Sequence, residues 1–413
     1  MVSPPRIAAL LCASLLCASA AAPSVTVVAC PARDCLVPDV HLDGGGRLHA
    51  VWGTSDKQAF YAVSADGAGA AWSPPVRLNG PQNVTTTMGE RGPKLSGSPD
   101  GRTLAVFWAD LWFPGAVTFA RFSVSRDGGA SWSAPALAAG RPAVDGLSGA
   151  VDASGALLVA FHSMDAGAPK PANASEATWL FVAASLDAGA TWTTAANGSR
   201  VALPAARGGG VACSMCGMRV RALGGGRFAL AMRSAENNVR DHQLVVGAAA
   251  DGFASAAAAT APVAAPWVYP ACPMNGPELT LSGGGAGGAA TLAFMSTDAN
   301  AVFWAAWSGA AWTTGAVPTP RGDTNARYPT AVANAAGDVL LVWQVGPMAV
   351  AGTADVKYAL YSAAGAPQGA EVPVGTTFAG TKATAWARGG DFFVMTSPLQ
   401  QARARAGAQR GGG

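Results

Sequence analysis

Cys213, Cys216 and Cys272 carry thiols, and Met215, Met218 and Met274 stand beside them in sequence. Thiolate and thioether sulfur together suit copper(I) or another soft metal. The competing reading is structural: a disulfide from Cys272 to one of the other two, with Cys30 and Cys35 joined near the N-terminus. A second chemistry belongs to Arg91, Arg233 and Arg327, because a guanidinium fork matches a carboxylate. Glu278 and Asn275 are polar candidates for the same pocket. Loops nearby carry acids, among them Asp56, Asp110, Asp165 and Asp298. His41, His49, His162 and His242 show no paired spacing.

The elements that must position these residues recur along the chain. A short apolar strand opens each unit, a Gly-rich or Asp-Gly turn follows, and a second strand ends near Phe or Trp. Pro38-Asp39-Val40 begins the first unit, Pro93 to Leu95 the second and Leu147 to Val151 the third. Met218 to Ala222, Pro277 to Leu281 and Pro329 to Ala333 begin the fourth, fifth and sixth. Openings lie roughly 50 residues apart, the period of propeller blades. Alternating, β-branched and aromatic segments favour strands over helices. The expected fold is an all-β, six-bladed propeller over residues 30–397, with Thr381 to Ser397 helping to close the ring.

A further phrase sits at the turn between the third and fourth strands. Ser125-Arg126-Asp127-Gly128-Gly129-Ala130-Ser131-Trp132 and Ser185-Leu186-Asp187-Ala188-Gly189-Ala190-Thr191-Trp192 follow one pattern. Ser64-Ala65-Asp66 with Trp72 repeats it with one residue inserted, and Asp251-Gly252 and Ser308-Gly309 with Trp312 are eroded copies. Asp accepts backbone N–H groups within such a turn, Gly takes the left-handed position, and Trp buries a ring between sheets.

On these turns the chain resembles the sialidase (BNR/Asp-box) superfamily across roughly residues 30–397. Cys213-Ser214-Met215-Cys216, Val239-Arg240-Asp241 and Cys272-Pro273-Met274-Asn275-Gly276-Pro277 resemble a group of secreted bacterial sialidase-like proteins, with Met215 where that group has a middle cysteine. The resemblance implies that the Asp turns lie on the face opposite the substrate pocket. It also implies an arginine clamp for a sugar carboxylate, a Tyr nucleophile with a Glu base, and an Asp acid. Tyr328 resembles the nucleophile, Arg233 the second arginine, and Arg91-Gly92-Pro93 the family's Arg-Ile-Pro, displaced to the second blade. Asp56 or Asp110 is the candidate acid. The chain departs from the pattern in two places: Leu36-Val37-Pro38 lacks the first-blade arginine, and Cys216 to Met218 replaces the expected Glu. The expected function is therefore binding of a carbohydrate or other acidic ligand in the axial pocket. An active exo-α-sialidase, a glycoside hydrolase, and a Cys/Met soft-metal protein are the alternatives.

Composition bounds the rest. Of 413 residues half are hydrophobic and 12% charged, which excludes general disorder. A net charge of +3 without a basic block argues against nucleic acid as a partner. Met1 to about Ala22 reads as a secretory signal, which places the protein outside the cell. It takes Cys12 and Cys17 with it and leaves an odd set of five cysteines. No later run is long enough to span a membrane. Asn83, Asn173 and Asn197 begin glycosylation sequons. The Ala/Arg/Gly-rich tail, 398–413, reads as disordered, and a monomer is expected.

Overall fold

The computed structural model describes residues 23–80, 90–110, 118–164, 177–194, 196–203, 210–282, 288–296, 301–323, 325–346, 353–378 and 382–397. The expected signal (1–22), Asn83, Asn173, Asp165, Asp298 and the tail lie outside them.

Seven sheets, six of them wholly antiparallel, surround one axis. Their innermost strands are Leu36–Leu42, Lys94–Gly97, Val144–Val151, Arg219–Gly224, Glu278–Leu281, Ala326–Ala333 and Thr384–Arg388, in blades 1 to 7. Each innermost strand contacts the next, and the seventh contacts the first, so the ring closes. The expectation of six blades is therefore corrected to seven. Blade 3 gains an extra strand, Val211–Cys213, paired with Ala177–Ser185. Blade 7 has three strands, from both ends of the described chain. Thr384–Arg388 and Asp391–Thr396 form a hairpin, and Val25–Ala29 adds to it in parallel, pairing Val25 with Phe392 and Ala29 with Thr396. The ring thus takes in a strand ahead of the expected start at residue 30.

The second strand of each blade explains the packing. Leu48–Gly53, Leu104–Ala109 and Leu157–Ser163 are buried along their whole length. Both of their faces meet neighbouring sheets, so the sequence reads as a continuous apolar run rather than an alternation. Clusters of these side chains cross the blade boundaries. One joins Phe107 and Phe122 of blade 2 to Val159 and Phe161 of blade 3.

The Asp turns behave as their sequence dictates. Asp127 accepts the Ser131 N–H at 2.9 Å and the Ser125 hydroxyl at 2.8 Å. Asp187 accepts the Thr191 N–H at 2.7 Å and the Ser185 hydroxyl at 2.8 Å. These donors hold both carboxyls down to about 2, with the side-chain hydroxyls of Ser131 and Thr191 the largest cause. The turn tryptophans reach back one blade. Trp132 meets Tyr61 edge-on at 4.9 Å, and Trp192 meets Phe122 at 5.5 Å. In blade 4 the eroded turn keeps its acceptor: Asp251 takes the Phe253 N–H at 2.9 Å, and the Phe253 ring is buried. Among the described residues no helix is long and apolar enough to cross a membrane.

Candidate functional site

Innermost strands begin on the face opposite the Asp turns, and several begin with a kink. Strand pairing slips between Leu36 and Asp39 in blade 1, and between Arg327 and Thr330 in blade 6. Inside those slips Val37 and Tyr328 hold left-handed backbone, φ 49° and 48°, each directly before a proline. Such conformations cost a β-branched or bulky residue roughly 1–3 kcal/mol and persist only when the surroundings enforce them. The kink carries Tyr328 into the ring, where it is 7% exposed. Burial pushes its phenol up to about 12, and Glu90, Arg327, Arg91 and Cys216 act on it through their charges.

Glu90 is the residue that sequence reasoning left unassigned at this site. Its Oε1 accepts the backbone N–H of Gly217 and of Gly276, each at 2.5 Å. Those glycines belong to the starts of blades 4 and 5. A Cβ on Gly217 would meet Glu90 Cδ at 2.7 Å, and one on Gly276 would meet the Gly217 carbonyl oxygen at 1.9 Å. Only glycine admits this approach. The Cys-Gly-Met and Asn-Gly-Pro sequences are thus steric requirements of a carboxylate delivered from blade 2. The matched glycines in adjacent blades were the available signal.

The three candidate arginines divide. Arg91 and Arg327 both face Tyr328 electrostatically. Arg327 is 8% exposed, its Nη1 is buried without a hydrogen-bond partner among the described residues, and burial lowers its guanidinium below the ordinary value. Arg233 is fully buried and bound to the frame. It donates from Nε to Asn275 O at 2.9 Å, from Nη1 to Arg240 O at 2.6 Å and from Nη2 to Met295 O at 2.8 Å, and it lies over the Trp267 ring. The bonds to Asn275 and Met295 join blades 4 and 5. The Asn275 side chain is itself buried, and neither amide atom has a partner among the described residues.

The candidate acids also part. Asp110 forms a two-oxygen pair with Arg121 Nε, 2.8 Å to each oxygen. Asp56 is exposed in the turn after Leu48–Gly53 and accepts the Thr54 hydroxyl. Glu278 lies deeper, within an ionic plug across the axis. Its Oε1 is 2.7 Å from Arg219 Nε and 3.3 Å from Arg221 Nη2, and its Oε2 pairs with Lys382. Arg219 also pairs with Asp39, whose other oxygen accepts the Leu95 N–H at 2.8 Å. Burial would raise the Glu278 carboxyl, but Arg219, Lys382 and Arg221 together hold it at about 2. Buried Lys94, beside Arg219 and Lys382, falls to about 8. Beyond the plug, an axial cavity of about 720 Å³ opens on the Asp-turn face, lined by all seven blades and including His41, Asp152, Arg221 and Trp386.

The three cysteines converge. Sγ of Cys213 lies 3.0 Å from Cys272 and 2.9 Å from Cys216, with 3.6 Å between Cys216 and Cys272. No disulfide joins them, whereas Cys30 and Cys35 are bonded as expected. Burial raises the Cys213 thiol to about 12 and carries Cys216 well above its usual value. Cys272 is lowered by hydrogen bonds from Cys213 and Cys216.

No family model and no curated protein matches the chain. Among solved structures it is similar to a protein of unknown function from Dyadobacter fermentans: 16% identity, TM-score 0.49, 78% of this chain and 94% of that one. An ulvan lyase, described as a new polysaccharide lyase family, shares 11% identity at TM-score 0.48 over 86% and 88%. A Hadza microbial sialidase shares 16% identity at TM-score 0.46 over 74% of this chain, which spans only 62% of that sialidase.

Proposed function

We propose that the protein is a secreted sialidase-like propeller that binds a carboxylated sugar at the mouth formed by Arg91, Arg327 and Tyr328. The observation that carries this reading is the Arg327 guanidinium, nine-tenths buried beside Tyr328 with Nη1 unpartnered among the described residues. A buried donor without an acceptor costs about 1–3 kcal/mol, which a ligand oxygen would recover. A carboxylate suits it best, since charge-assisted bonds are the stronger ones. The Asp-turn resemblance narrows the anion to a sugar acid. Retention on an array of sialylated and uronic-acid glycans tests the proposal. Wild-type protein retained on acidic but not neutral glycans, with retention lost in Arg327→Ala and Arg91→Ala, is the expected result. Retention that ignores both substitutions overturns it.

A second reading, hydrolysis of the bound sialoside, rests on Glu90. A phenol held near 12 needs a base to act as nucleophile, and the Glu90 carboxylate stands within charge reach of Tyr328. In this scheme the Tyr328 oxygen bonds to the anomeric carbon, its proton passes to Glu90, and an acid protonates the departing aglycone oxygen. Asp110 is tied to Arg121, which leaves Asp56 as the candidate acid. Release of a fluorogenic aglycone, lost in both Tyr328→Phe and Glu90→Gln, would support hydrolysis. No turnover by folded protein between about pH 4 and 8, the range in which such acid–base pairs operate, would remove it and leave binding alone.

A further inference from the structure

We propose that Cys213, Cys216 and Cys272 form a binding site for one copper(I) ion, separate from the arginine–tyrosine mouth. The three sulfur atoms already face one another within 3.6 Å although they come from two segments almost sixty residues apart. All three are buried, at 0%, 0% and 8% exposure. They are the group of potential ligands that the described residues bring together, and no carboxylate or imidazole belongs to it. The thiols share a buried cluster with Val211 and Ala235, against which Trp179, Met215 and Met274 pack. A donor set of thiolates with thioethers at hand selects a soft closed-shell ion over hard divalent cations.

The surroundings are built as a ligand shell. Cys213 and Cys216 sit on one turn, closed by Cys216 N–H to Cys213 O at 3.3 Å. The imidazole of His162, from blade 3, anchors that turn at the Ser214 carbonyl, 3.2 Å away. Cys272 receives the Met274 N–H at 3.4 Å, from a residue held in left-handed backbone at φ 48°. Such outer contacts orient sulfur ligands and stabilise their anionic form. Arg240 lies within charge reach of Cys213 and offsets part of the negative charge. An odd number of thiols is incompatible with complete disulfide pairing, whereas three sulfurs satisfy one trigonal ion. Binding exchanges protons for metal: each ligating sulfur releases its proton to solvent, and copper enters and stays as Cu(I) without electron transfer.

The test is anaerobic titration of the chain freed of residues 1–22, and so of Cys12 and Cys17, with Cu(I) against a chromogenic chelator, alongside thiol counting in the denatured, metal-free protein. The account expects one Cu(I) per chain and three countable thiols. It also expects an affinity loss of more than about 100-fold in Cys272→Ser and in Cys216→Ser, beyond the usual effect of an outer-shell change. The Cys30→Ser/Cys35→Ser pair should retain the metal. A single countable thiol, meaning a disulfide within the trio, overturns the proposal, and this reading needs no variant to fold. Failure to hold Cu(I) against the chelator, unaltered affinity in Cys272→Ser, or preference for Zn(II) over Cu(I) overturns it as well. None of these outcomes bears on sugar retention through Arg327, so the two proposals fail separately.

Discussion

The carboxylate of Glu90 accepts the backbone N–H of Gly217 at 2.5 Å, across from blade 2 to blade 4. Blade 4 carries no acid at residues 216–218, and the carboxylate that meets this stretch comes from blade 2. The same oxygen holds Gly276 of blade 5, so one side chain ties three blade starts together beside Tyr328.

Removing that side chain should cost stability. Glu90→Ala leaves two N–H groups without their acceptor, at about 1–3 kcal/mol for each buried orphan. Glu90→Gln keeps an amide oxygen in place and should cost clearly less. Urea unfolding of the two variants checks the order.

Arg233 and Arg327 should respond oppositely to the same change. Arg233→Met strands three carbonyls, two of which tie blade 4 to blade 5, and should destabilise by about 3 kcal/mol or more. Arg327→Met removes a guanidinium whose Nη1 is unsatisfied among the described residues, so stability should hold or rise while binding of an acidic sugar falls. Thermal melts paired with glycan retention separate the two roles.

The ionic plug makes stability acid-sensitive. Glu278 titrates at about 2 in the fold against an ordinary 4.5, so the unfolded chain binds its proton first as pH falls. That contribution is complete above about pH 4.5 and is lost progressively down to about 2. Asp39 is lowered in the same direction, chiefly by Arg219 against the effect of burial. Glu278→Gln should flatten this acid limb. It should also lower stability at neutral pH by about 3–5 kcal/mol, because Arg219 and Lys382 stay buried without their full countercharge. Unfolding free energy measured from pH 7 to 3 checks both statements.

Deleting Val25–Ala29 should weaken the whole ring. The strand supplies the outer edge of blade 7 and packs Val28 against Leu48, Trp386 and Phe393. Its loss exposes the Asp391–Thr396 edge and should lower the melting temperature and promote association, since an uncovered strand edge is a pairing template. Calorimetry with light scattering reads both effects.

Local chemistry was legible in the sequence, and long-range closure was not. The Asp127 and Asp187 turns make their bonds within four residues, so their pattern stands in the sequence itself. Cys213 and Cys216 precede the innermost strand of blade 4 and Cys272 that of blade 5, which agrees with their convergence, although Cys213 itself pairs into blade 3. Thr381 to Ser397 reads in sequence as ring-closing strands rather than as a seventh blade, because the segment lacks an Asp turn and takes one strand from the other end of the described chain. Glu90 goes unassigned in sequence because its partner amides lie 127 and 186 residues away. Arg233 and Arg327 look alike in sequence; what separates them is the set of carbonyls around Arg233, which only the folded ring supplies.

The most direct test of the proposed function is calorimetric titration with sugar pairs that differ only in the carboxyl group, glucuronate against glucose and a sialic acid against its reduced alcohol. The account predicts binding of the carboxylated member alone, weakened by about 10-fold or more in Arg327→Met, the loss of a charge-assisted bond of roughly 1.5–3 kcal/mol. Equal binding of the neutral partners, or binding of the acids that Arg327→Met leaves intact, would contradict it.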